Sequence, residues 1–150
     1  MKYSKKGITV ISVTIIIIVL LILAGTVTVS TNHIIKSTYE KEFIREYKLI
    51  ETQVKDYVMR NSGNIDFDEI TVDLTTINSK YLNQFDGEKV TNNMINMYVI
   101  DLEKIGVENT TYGIELEEGD VYLFSKETNT VYYKKGFETE KHVYYKVIYE

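Results

Sequence analysis

From Gly7 to Ile35 the chain runs 29 residues without an Asp, Glu, Lys or Arg, and that run constrains everything after it. Lys2, Lys5 and Lys6 stand immediately before it. Its apolar heart, Ile8–Val29, would rise about 33 Å as a helix, close to the roughly 30 Å hydrocarbon core of a bilayer. A helix in a water-soluble core is apolar on one stripe only, whereas TVISVTIIIIVLLILAGTVTV is apolar all round. The run therefore predicts a chain held in the membrane. Lysines on its short side put the N-terminus in the cytoplasm and the C-terminal domain outside. A removable secretory signal has a shorter apolar region, roughly 7–15 residues, and Thr28-Val29-Ser30 is a poor cut site, so the anchor reading is preferred.

After this segment come 14 basic and 22 acidic side chains. Such an acidic region gains nothing from counterion release at phosphates and holds no basic cluster, so nucleic acid is not an expected partner. The chain has no Cys, which excludes disulfides, thiolate metal sites and Cys nucleophiles. It also has no Pro to interrupt its helices.

From Thr31 to Ser62 there is neither Gly nor Pro, and Ile35, Tyr39, Phe43, Tyr47, Ile50, Val54 and Tyr57 recur at steps of three and four. That is one face of a helix, with Glu40, Lys41, Glu42, Arg45, Glu46 and Lys48 among the residues on the rest of it. Asn61-Ser62-Gly63-Asn64 supplies a stop. One helix from about Ile8 to Arg60 is predicted, with Gly25 as its weak point.

Residues 63–106 are ambiguous. Phe67, Ile70, Leu74 and Ile77 fit short turns, Tyr81-Leu82 fits a loop anchor, and Val90–Ile105 fits a helix or, over Met97–Leu102, a strand. The C-terminus is clearer. Val121–Phe124, Thr130–Lys134 and Val143–Tyr149 are rich in aromatic and β-branched residues and are joined by polar turns at Lys126–Thr130 and Glu138–Lys141. An antiparallel meander of three strands follows, or four with Tyr112–Leu116, with one face buried on the helix stripe. The expected fold class is α+β: a long N-terminal helix, half transmembrane and half amphipathic, packed on a small C-terminal antiparallel sheet.

The leader Lys5-Lys6-Gly7-Ile8-Thr9-Val10-Ile11-Ser12, followed by an apolar helix, an amphipathic continuation and a C-terminal sheet, resembles the type IV pilins and type II secretion pseudopilins. The ILAGTVTV segment and the Tyr-Tyr-containing strands are similar to small Gram-positive, clostridial-type prepilin-like proteins. The resemblance implies a pilin-like fold and cleavage between Gly7 and Ile8 by a prepilin peptidase, with methylation of Ile8. It divides the chain into a leader (1–7), a transmembrane helix (8–30), its amphipathic continuation (31–62) and an extracellular head (63–150). It further implies assembly with other pilin or pseudopilin subunits at the cell surface through Ser12, Ile15, Ile18, Ile22 and Gly25. The family usually has Glu where this chain has Ser12, so a minor or tip subunit is implied. A single-pass surface protein whose head binds a ligand without polymerising is the alternative.

No catalytic, cofactor or metal site is expected. Asn64, Asp66 and Asp68 are spaced like the start of a calcium loop, but Glu69 stands where such a loop needs Gly and no closing acid follows. Glu115, Glu117, Glu118 and Asp120 read as a solvated acidic turn. His33 and His142 are far apart and have no His or Cys beside them. No nucleophile elbow, phosphate loop or dinucleotide fingerprint occurs.

Overall fold

A computed structural model describes residues 5–148, with the side chains of 13–19 and 37–148. The chain falls into two compact units, Met1–Tyr39 and Glu40–Glu150. Helix α1 spans Lys5–Arg60. Its end is chemical: Ser62 and Gly63 take positive φ, at 56° and 81°, and the Gly63 N–H donates to Val58 O at 2.8 Å. A left-handed residue with this long backward bond satisfies carbonyls that the helix would otherwise leave open.

In the second unit, β1 (Glu69–Asp73), β2 (Met94–Val99), β3 (Tyr122–Ser125) and β4 (Thr130–Tyr133) form one antiparallel sheet in the order β1-β2-β3-β4. A separate ribbon pairs β5 (Phe137–Glu138) with β6 (Val143–Tyr144). Both sheet faces are covered. On one, Tyr122, Phe124, Val131 and Tyr133 pack with Phe43, Tyr47, Ile50 and Val54 of α1. On the other, Val72, Ile95, Met97, Leu123 and Tyr132 pack with Phe85. Phe85 belongs to a 3₁₀ helix at Ser79–Phe85 and stacks on Tyr132 with ring centroids 5.0 Å apart. Every residue of β3 is buried, as expected of a strand with apolar layers on both sides.

A buried glutamine fastens the C-terminal segment. Gln84 donates from Nε2 to Val143 O at 2.7 Å, and its Oε1 accepts the Tyr145 N–H at 2.8 Å. The Tyr133 N–H donates to Tyr145 O at 2.7 Å.

These observations correct the expected fold class. Among the described residues no helix is long and apolar enough to cross a membrane. Charged residues return at Lys36 and recur through Arg60, so from there on the helix is amphipathic rather than apolar all round. The sheet is not confined to the C-terminus either. Two of its strands come from 69–99, where Ile70 and Val72 alternate with polar residues and oppose Met97 and Ile95. Tyr112–Leu116 is not a strand, because Gly113 and Glu115 take positive φ and turn the chain. Of the expected strand Val143–Tyr149, the described residues contribute Val143–Tyr144, paired with β5 outside the main sheet; Tyr149 lies outside the described residues.

Candidate functional site

The residues expected to carry processing and assembly divide between described and undescribed. Gly7, Ile8, Ser12, Ile22 and Gly25 lie within α1 but outside the residues whose side chains are described. Ile15 and Ile18 are described, and are 55% and 50% exposed on α1. Exposed apolar side chains in such a row are a surface that water does not favour.

The second unit brings together a different set of groups. Glu46 of α1 accepts the Thr111 N–H at Oε2 (2.7 Å) and, at Oε1, both the Tyr112 N–H and the Tyr122 hydroxyl (3.0 Å each). One turn of helix thereby holds the 111–112 loop and a sheet tyrosine through a single carboxyl group. The neighbouring Tyr47 hydroxyl donates to Val131 O. Glu88 is buried and accepts hydroxyl protons from Ser125 (2.5 Å), Tyr132 (2.8 Å) and Thr128.

A cleft of about 530 Å³ opens beside the ribbon, with Tyr112, Leu116, Asp120, Tyr133, Lys135 and Phe137 in its lining. Asp120 forms its polar floor. It is buried, so it does not belong to a solvated acidic turn as the sequence suggested. Its Oδ1 accepts the Gly113 N–H and the Tyr133 hydroxyl, each at 2.7 Å. Burial alone would push its carboxyl up. Tyr133 and the N–H groups of Gly113, Leu116 and Ile114 outweigh that effect and hold it below the usual carboxylate range. Burial, with Asp120 beside it, pushes the Tyr133 phenol far up, and burial with Glu46 does the same for Tyr122. Both phenols are neutral hydrogen-bond donors at physiological pH. Lys135 and Glu117 form an ion pair in the lining. Asp120 is thus an ionised acceptor filled by several donors, beside neutral phenols.

Two of the other sequence candidates, Asp66 and His142, have structural partners. Asp66 pairs with Lys104 at 2.9 Å, so an ammonium serves the carboxylate that a calcium loop would have used. His142 packs edge-on against Tyr81 with centroids 5.1 Å apart. Among the described residues no group of His, Cys, Asp or Glu could hold a metal ion. Glu46 and Glu88 escaped sequence reading because their donors come from far along the chain, whereas Asp120 was read as a solvated acid though its donors lie within 13 residues. The one local signal was Asp120 standing directly before the apolar strand residues. Compared with protein-family models, characterised proteins and solved structures, the chain has no match.

Proposed function

We propose that this protein is a non-catalytic structural subunit of a cell-surface assembly of the type IV pilus or type II secretion kind. The uncharged segment Gly7–Ile35 holds it at the membrane, its N-terminus is cytoplasmic, and residues 40–150 lie outside. Prepilin peptidase cuts it after Gly7, and Ile8 becomes the methylated terminus. Like subunits then bury their apolar N-terminal segments against one another. The observation that carries this reading is the uncharged run itself, set directly behind Lys2, Lys5, Lys6 and Gly7. The exposed row at Val13–Val19 supports it, since such a surface needs lipid or a neighbouring subunit to cover it. In the second unit, the carboxyl groups of Glu46, Glu88 and Asp120 are spent on hydrogen bonds that hold the fold together, which supports a structural role.

Mass spectrometry of the mature protein tests the reading. A terminus at Ile8 carrying a methyl group is expected; intact Met1 in cells with active prepilin peptidase overturns it. Ser12 favours a second reading, a single-pass anchored surface protein that does not polymerise, because a serine offers no carboxylate to a neighbour's terminal amine. Cysteines introduced at Ile15 and Ile22 separate the two. A ladder of crosslinked subunits is expected of the assembling protein, and none of the lone anchor.

A further inference from the structure

The two outer edges of the main sheet are treated differently. At β4 three of the four outward backbone groups are occupied: Val131 O accepts the Tyr47 hydroxyl, the Tyr133 N–H donates to Tyr145 O, and Tyr133 O accepts the Gly136 N–H at 3.0 Å. At β1 they are left open. The Val99 N–H donates to Asp68 O at 2.8 Å and the Leu74 N–H to Asn93 O at 2.9 Å. With Ile70 opposite Met97 and Val72 opposite Ile95, these two bonds turn the even-numbered residues of β1 toward β2. Glu69, Thr71 and Asp73 therefore aim their N–H and C=O groups away from the sheet. Of these, Asp73 O accepts the Thr76 hydroxyl at 2.7 Å, and among the described residues no bond to the Glu69 or Thr71 backbone groups exists on that side.

Side chains add a charge pattern to this edge. Ile70 and Val72 face the Phe85 layer, so Glu69, Thr71 and Asp73 share the opposite face. Glu69 and Thr71 are exposed, and no Lys or Arg occurs between Ile65 and Asp73, whereas Asp66, Asp68, Glu69 and Asp73 do. A second copy pairing antiparallel about Thr71 would set Glu69 opposite the copy's Asp73 twice. Like charges directly opposite destabilise a strand pair. The edge is open, yet it rejects itself.

We propose that β1 is a docking edge for an extended segment of another polypeptide whose side chains run basic, apolar, polar, apolar, basic. That segment adds a fifth strand: its backbone pairs with Glu69 and Thr71, its apolar residues extend the layer of Ile70 and Val72, and its basic residues meet Glu69 and Asp73. The inference is independent of whether Gly7 is a cut site.

Amide exchange on the full chain in detergent micelles tests it, with peptides containing Lys-Val-Thr-Val-Lys or Glu-Val-Thr-Val-Glu as probes. The lysine peptide should slow exchange at Glu69 and Thr71 by about tenfold and leave β4 unchanged. The glutamate peptide should do nothing. A second measurement covers a peptide that binds too weakly to read. Glu69→Lys makes the edge complementary to itself, so its sedimentation mass should double, and adding Thr71→Pro should reverse this by removing a ladder donor. Equal protection by the two peptides overturns the proposal. So does unchanged exchange together with an unchanged Glu69→Lys mass.

Discussion

Gly113 sits at φ 76°, and a Cβ built there would lie 2.3 Å from Cδ2 of the buried Tyr122 ring. Two costs then fall on one position: a side chain in the left-handed region and an overpacked core. Gly106 isolates the first, because its φ is 72° and nothing lies within 4 Å of its Cβ position. Gly106→Ala should therefore lower stability by about 1 kcal/mol, and Gly113→Ala by about 3 kcal/mol, in urea unfolding. Equal losses would show that the Tyr122 ring yields freely. Glu88 makes the same scale visible in polar chemistry. Ser125, Thr128 and Tyr132 all donate to it, so Glu88→Ala strands three hydroxyls, two of them on buried residues. A loss of about 3 kcal/mol is expected by the same unfolding measurement. Neither residue stands out in sequence. A glycine is read as a turn and a glutamate as a solvated charge until the distant ring or hydroxyls arrive.

At the level of elements, what was legible followed from periodicity. The steps Phe43, Tyr47, Ile50 and Val54 mark the buried face of the second unit's helix, and all four are fully buried. The aromatic and β-branched density of β3 and β4 likewise marked strands. Strand β1 was illegible because its apolar residues, Ile70 and Val72, are few, and β2 was left ambiguous because a helical spacing over Val90–Ile105 competed with the strand reading over Met97–Leu102. The loop 113–119 was misread for a related reason: its organiser, Asp120, is an acid among acids in sequence. In the fold its hydrogen bonds from Tyr133, Gly113, Leu116 and Ile114 keep it ionised to lower pH than an unfolded aspartate. Its contribution to stability is complete above pH about 4 and is lost as pH falls through its lowered value. Asp120→Asn should reduce stability at neutral pH and flatten the acid limb of the profile below pH about 4. Thermal unfolding of both proteins from neutral to strongly acid pH checks this. Parallel curves would show that the acid sensitivity belongs to other carboxylates.

For the whole molecule, the two compact units predict a separation of stability from location. Glu40–Glu150 contains the α1 residues Phe43, Tyr47, Ile50 and Val54, the complete sheet and the Phe85 layer, so each apolar face has its cover within that unit. The net stability of a domain of this size is about 5–15 kcal/mol, which these layers can supply without residues 1–39. The uncharged run, by contrast, lies wholly in Met1–Tyr39. A fragment of residues 40–150 should therefore unfold in one cooperative step and remain in the supernatant when membranes are pelleted. The full chain should pellet with the membranes and resist extraction at high salt, because apolar burial, unlike charge attraction, is not weakened by screening. Circular dichroism on the fragment and fractionation of both chains test the two halves separately. A fragment that fails to fold would mean that the second unit borrows stability from the first. A full chain released by salt would mean that the uncharged run is not what holds the protein at the membrane, and the proposed assembly through that run would fall with it.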